Sequence, residues 1–92
     1  MKKTDPLGCF ESSGVAHNTP CGISTAVFYA TTTATEIILY DNNENATGEE
    51  LLHVYLNVGT CVFTPSKPKA ASKGIYVEFK SGSGGVIIDI EP

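Results

Sequence analysis

The chain contains no arginine and no tryptophan, only two histidines, and no uninterrupted apolar run of membrane length. Each absence removes a class of function. Bidentate arginine contacts and a basic face are the usual footprint of nucleic-acid binding. Here six scattered lysines (2, 3, 67, 69, 73 and 80) stand against ten acids, for a net charge of −4. No nucleic-acid partner is expected. Without tryptophan the strongest stacking platform for sugars is missing. No segment approaches the roughly 20 apolar residues that cross a bilayer, so no membrane partner is expected. "TDPLGCFESSGVAHNTP" after Lys2 and Lys3 is broken by charge, glycine and proline where a signal peptide needs an apolar core. The expectation is synthesis and folding in the cytoplasm.

Catalytic and metal chemistry are equally thin. A nucleophile needs a base held by a third group, and the candidates are His17, in a segment without periodicity, and His53, on the polar side of an alternating run. Glu49 and Glu50 are adjacent, so on a strand they face opposite ways. Cys9, His17 and Cys21 give the spacing C-x7-H-x3-C, without the close ligand pairs of structural zinc sites. Cys9 and Cys21 either stay reduced, as in a cytoplasmic protein, or close a disulfide in an oxidising medium. Cys61, inside "TCVF", reads as a small buried hydrophobe. "DNNENATGEELL" opens like a calcium loop, with Asp41, Asn43 and Asn45 at positions one, three and five. It then places Ala46 and Leu52 where that loop needs glycine and a bidentate glutamate. A turn whose Asn and Asp side chains bond their own backbone explains the same letters. "NAT" at 45–47 matters as a glycosylation acceptor only in a secretory route. No enzyme, cofactor or metal is expected.

What is present is β pattern. At 92 residues, 41% of them hydrophobic, the chain is one domain that buries about two thirds of its unfolded surface. Residues 1–22 are punctuated by Gly8, Gly14, Gly22, Pro6 and Pro20 and show no period; they read as an extended N-terminal arm with one short strand near Leu7–Phe10. Residues 23–92 form the β domain, with strands expected near 24–31, 35–41, 50–58, 60–64, 73–80 and 85–91. "ELLHVYLNV" alternates as a strand, though "GEELLHVYL" also fits a short helix. "SKPKAASK" reads as a polar loop and "SGSGG" as a turn. The predicted fold class is all-β: a small antiparallel β-sandwich or barrel of six to seven strands. Core or subunit-interface positions are Ile37, Leu39, Tyr40, Val77, Phe79, Ile88 and Ile90 in the domain, and Leu7, Phe10 and Val15 in the arm. "EIILY" and "GVIIDI" are apolar on both faces, which favours burial of one face against another subunit.

Residues 33–92, about two thirds of the chain, resemble small tailed-bacteriophage virion proteins. The shared features are the aromatic-Asp-Asn turn "LYDN", the small-residue turn "NATG", the strand "GIYV" and a glycine-rich turn before the final strand. The proteins resembled are head decoration or cement subunits and related head-fibre and tail accessory modules. The resemblance implies a homo-oligomer, often a trimer, on the surface of a particle, with the major capsid protein or another virion protein as partner. A small β module recognising a host-surface glycan or protein is the alternative. On this reading the arm lies on a neighbouring subunit and the domain folds without it.

Overall fold

The structure is a computed structural model that describes residues 5–92; the first four positions of the expected arm lie outside the described residues. Nine strands form among the described residues: β1 Asp5–Phe10, β2 Gly14–His17, β3 Cys21–Ala30, β4 Thr35–Asp41, β5 Glu49–Leu56, β6 Gly59–Phe63, β7 Lys69–Ala71, β8 Ile75–Ser81 and β9 Gly84–Glu91. There is no helix among the described residues; of the expected 50–58, residues 50–56 are strand, and Asn57 and Val58 form the turn to β6. All pairs are antiparallel, in two sheets. Sheet A runs β1-β9-β3-β6, with β7 also paired to β3; sheet B runs β2-β8-β4-β5. The chain is a small antiparallel β-sandwich, with two more strands than the upper expectation.

The core is the inner faces of both sheets. Paired residues of antiparallel strands share a face, so Phe28–Val86 and Ala26–Ile88 point inward from sheet A, and Ile37–Phe79 and Leu39–Val77 from sheet B. Ile23, Phe28, Ile37, Leu39, Ile75, Val77, Val86 and Ile88 are fully buried, and Ile90 nearly so. Phe79, Leu7 and Phe10 are half-buried against this cluster. Tyr40 is half-buried on the outer face, and Val15 is exposed.

The arm takes a different course from the one expected. β1 lies along β9 and β2 along β8, so residues 5–17 supply an edge strand to each sheet of their own chain. A strand edge close by in the same chain satisfies the arm's backbone with less loss of freedom than a neighbour's edge. "TTTAT" has a structural role as well. The Thr32 hydroxyl accepts from the Ser83 backbone N–H at 2.9 Å, and buried Thr35 donates to the Thr32 carbonyl, binding the β3–β4 turn to the β8–β9 turn. Gly82 sits in that contact with φ +74°, and a Cβ there would lie 2.3 Å from the Thr35 hydroxyl.

One cysteine expectation needs correction, and of the two alternatives for Cys9 and Cys21 the reduced one holds. Cys61 is exposed, because β6 lies at the end of sheet A. Cys9 and Cys21 are both free. Cys9 aligns through Ile87 with Val27, six residues along β3 from Cys21. That is roughly 20 Å at strand rise, against the 4.4–6.8 Å a disulfide spans.

Candidate functional site

Three constellations bring polar or exposed side chains together. The first is the end of β4. Asp41 is buried and accepts hydrogen bonds from the Ser72 N–H at 3.0 Å, the Ser72 hydroxyl at 2.7 Å and the Lys73 N–H at 2.8 Å. Burial pushes its pKa up, but these bonds, with one from the Gly74 backbone, outweigh burial and hold it below the usual 3.8. The calcium-like letters therefore divide their work. Asp41 clamps the loop before β8. Asn42 Oδ1 accepts from the Glu44 and Asn45 N–H groups, and Asn45 accepts from the Thr47 hydroxyl, forming an Asx-type turn. Asp41→Ala strands these donors, which corresponds to a loss of about 2–4 kcal/mol. A carboxylate with a lowered folded pKa contributes stability above its unfolded value, and the contribution disappears as pH falls through the folded value. Urea midpoints of wild type and Asp41→Asn at pH 7 and pH 3 should therefore converge at the lower pH.

The second is the outer face of sheet B. The register places Ile38 beside His53 and Glu78, and Glu36 beside Tyr55. Ile38 points outward and is still only 1% exposed. The long side chains around it cover it within the chain, so "EIILY" needs no second subunit at this position. His53 Nε2 meets Glu36 Oε2 at 2.5 Å and Nδ1 meets Glu50 Oε1 at 3.0 Å, while Tyr55 stacks on the imidazole with centroids 4.8 Å apart. Tyr40 donates to Glu78 at 3.2 Å. Above all the bond to Glu36 holds the His53 pKa above 6.5, against a partial opposing effect of burial, with Glu50 adding to the rise. An imidazolium donating from both nitrogens holds its proton and has no lone pair with which to accept another. Beside this group Ala34, Thr35, Glu36, Tyr55, Leu56, Asn57 and Ser81 line a cleft of about 300 Å³. By proton NMR, His53 should titrate above 6.5, and Glu36→Gln should bring it back toward that value. The stabilisation involved is fully present below about pH 6.5 and is lost as pH rises through the folded pKa.

The third is the outer face of sheet A. Cys9 pairs with Ile87, Ile87 with Val27 and Val27 with Val62, a single row across β1, β9, β3 and β6. Ile87 is 42% and Val62 58% exposed. Tyr29 lies one step along, donating to Glu11 at 3.2 Å with Cys9 Sγ 3.4 Å from its hydroxyl. The contact with Cys9, then burial and the charge of Glu11, push its pKa up to about 12.

Most of the expected interface and core residues gather in the core, with Leu7, Phe10 and Phe79 packed against it, and two do not. Ile37, Leu39, Val77, Ile88 and Ile90 are buried between the sheets; Tyr40 and Val15 lie on the outer face of sheet B, paired in turn with Tyr76. Sequence reading missed the Glu36–His53–Glu50 group, whose first two members are 17 residues apart and meet only through the β4–β5 register. It also missed the row on sheet A, since Cys9, Val27, Val62 and Ile87 come from four separate strands. No group of three or more His, Cys, Asp or Glu side chains suited to a metal ion occurs among the described residues. Comparison with known proteins finds no matching family model, no matching characterised protein and no matching solved structure.

Proposed function

We propose that the chain is a non-catalytic structural module that associates with copies of itself and docks on a protein lattice. The role implied by the resemblance of residues 33–92 is a decoration or cement subunit of a phage particle, in contact with the major capsid protein or another virion protein. The observation that carries this reading is the outward apolar row Cys9–Ile87–Val27–Val62. The sandwich already fills its interior from the inner faces, so this row serves nothing inside the domain and suits a partner. Both nitrogens of His53 are engaged by carboxylates, which supports a non-catalytic role.

A clip that binds only the assembled shell stabilises it by mass action, in proportion to RT ln(1 + [L]/Kd). The test is co-sedimentation with assembled shells and with free capsid subunits. Full-length protein should pellet with shells only, and Ile87→Asp should abolish the association while the fold persists. Equal binding to free subunits, or none to shells, removes the reading. A host-glycan or protein-binding module is the second reading. It is favoured by Tyr55, 73% exposed beside Glu36 and Asn57 in the cleft of sheet B; binding of the isolated protein to host cells, lost in Tyr55→Ala, would select it.

A further inference from the structure

Five strands have a free edge, β1, β6 and β7 in sheet A and β2 and β5 in sheet B. Four of these edges are blunted. β7 is three residues long and follows Pro68. β1 contains Pro6, which has no N–H to donate, and its register shifts between Pro6 and Gly8. β2 is four residues long and shifts between Val15 and His17. β5 presents Glu49, Glu50 and His53, and the β4–β5 register shifts between Leu39 and Tyr40. Proline, bulges, shortness and charge are the devices that keep a sheet edge from pairing with another chain.

β6 has a different character. It pairs with Ala26–Ala30 through five consecutive positions without a shift. From Val58 to Thr64 the chain reads "VGTCVFT", with no charge and no proline. Four of its five residues are exposed, on both faces of the strand. Cys61 lies on the same side of the sheet as buried Phe28, its register partner, and remains open. Val58 and Val62 are 66% and 58% exposed.

We infer that β6 pairs with β6 of a second copy of this chain, antiparallel about a two-fold axis at Cys61. Two copies of sheet A then join into one sheet of order β1-β9-β3-β6-β6-β3-β9-β1. Three features identify the occupant as a second copy. An antiparallel strand matches its own donors and acceptors when rotated by a two-fold axis, so the edge is complementary to itself. Chains of net charge −4 meet most favourably at an uncharged segment, and β6 offers no charge for a basic or acidic partner to read. With the axis at Cys61, Phe63 faces Gly59 of the other copy, and an aromatic opposite an edge glycine covers the backbone that glycine leaves bare. Val62 falls opposite Thr60 of the other copy on the outer face, so the row from Cys9 to Val62 continues across the junction. This isologous pairing gives a dimer in place of the trimer implied by resemblance.

The inference shares the self-association part of the proposed function and does not depend on the shell. Sedimentation equilibrium at about 100 µM, where any micromolar contact is saturated, should show a wild-type dimer. Val62→Lys places a like charge on each side of the axis and should weaken association by at least about tenfold. Its far-ultraviolet circular dichroism, read at a dilution where both proteins are monomeric, should match wild type, because Val62 is 58% exposed on an edge strand. In a Cys9→Ser/Cys21→Ser background, a short bis-maleimide should link two chains through Cys61. A wild-type monomer at this concentration overturns the inference, as does an oligomer that Val62→Lys leaves intact and Cys61 does not cross-link. A dimer of this kind that ignores shells keeps the pairing and removes the decoration role; a monomer that decorates shells does the reverse.

Discussion

Phe28→Ala is expected to lower the unfolding free energy by about 3–5 kcal/mol, the range for truncating a fully buried phenylalanine. Phe28 is the largest of the fully buried side chains. It stands on β3, which bonds to β9 on one side and to β6 and β7 on the other. The cavity would therefore open where sheet A is widest, with extended backbone on both sides held by ladders that resist collapse into it. A domain of this length has a total stability of roughly 5–14 kcal/mol, so this one change removes a large fraction of it. For a chain of this size the melting midpoint should fall by roughly 15–30 °C. Phe79 is the natural control. It is half-buried on β8, so its truncation should cost clearly less. Calorimetry of the two variants decides the matter, and equal costs would mean that Phe79 is packed as completely as Phe28.

The contrast between these phenylalanines also marks what the sequence made legible. The strands 35–41, 75–81 and 84–91 were readable because "TEIILYD", "IYVEFKS" and "GGVIIDIE" combine β-branched and aromatic residues with clear turn letters at their ends. Alternation fails wherever a ladder is irregular. Register shifts at Pro6/Gly8 and Val15/His17 put successive side chains out of phase, and for that reason β1 and β2 looked like an aperiodic arm. β7 is three residues in a polar segment, and its one core contribution is Ala71; no periodicity can show in so short a run. The same limit applies to the surface groups. The row on sheet A and the His53 group depend on register between strands far apart in the chain. Pattern within one strand shows which residues share a face but not which strand lies beside it. Asp41 was visible as a turn residue, while its partners Ser72 and Lys73 lie 31 and 32 residues away.

A chain beginning at Asn18 should fail to give a stable monomeric domain, which reverses the expectation drawn from residues 1–22 as an arm. β1 covers one side of β9 from Val86 to Ile90, and β2 covers one side of β8 from Ile75 to Val77. Removing both leaves "GVIIDI" as a bare edge, flat apart from the shift opposite β3, with one acid in six residues. Such an edge pairs with other chains. The inner face suffers as well, because Leu7, Phe10 and Ala16 pack against the buried cluster. Freeing the deleted segment returns conformational entropy that offsets much of its own contact energy. What nothing offsets is the apolar surface uncovered on the strands that remain, at about 25 cal/mol per Å². The expected outcome is a truncated protein that either aggregates or melts without a sharp transition. Size-exclusion chromatography with far-ultraviolet circular dichroism reads both. A monomeric truncated chain whose midpoint lies within about 5 °C of full length, or about 1 kcal/mol for a domain of this size, would show that the two edge strands are appended to an independently stable core, and residues 1–17 would then be free to serve a partner.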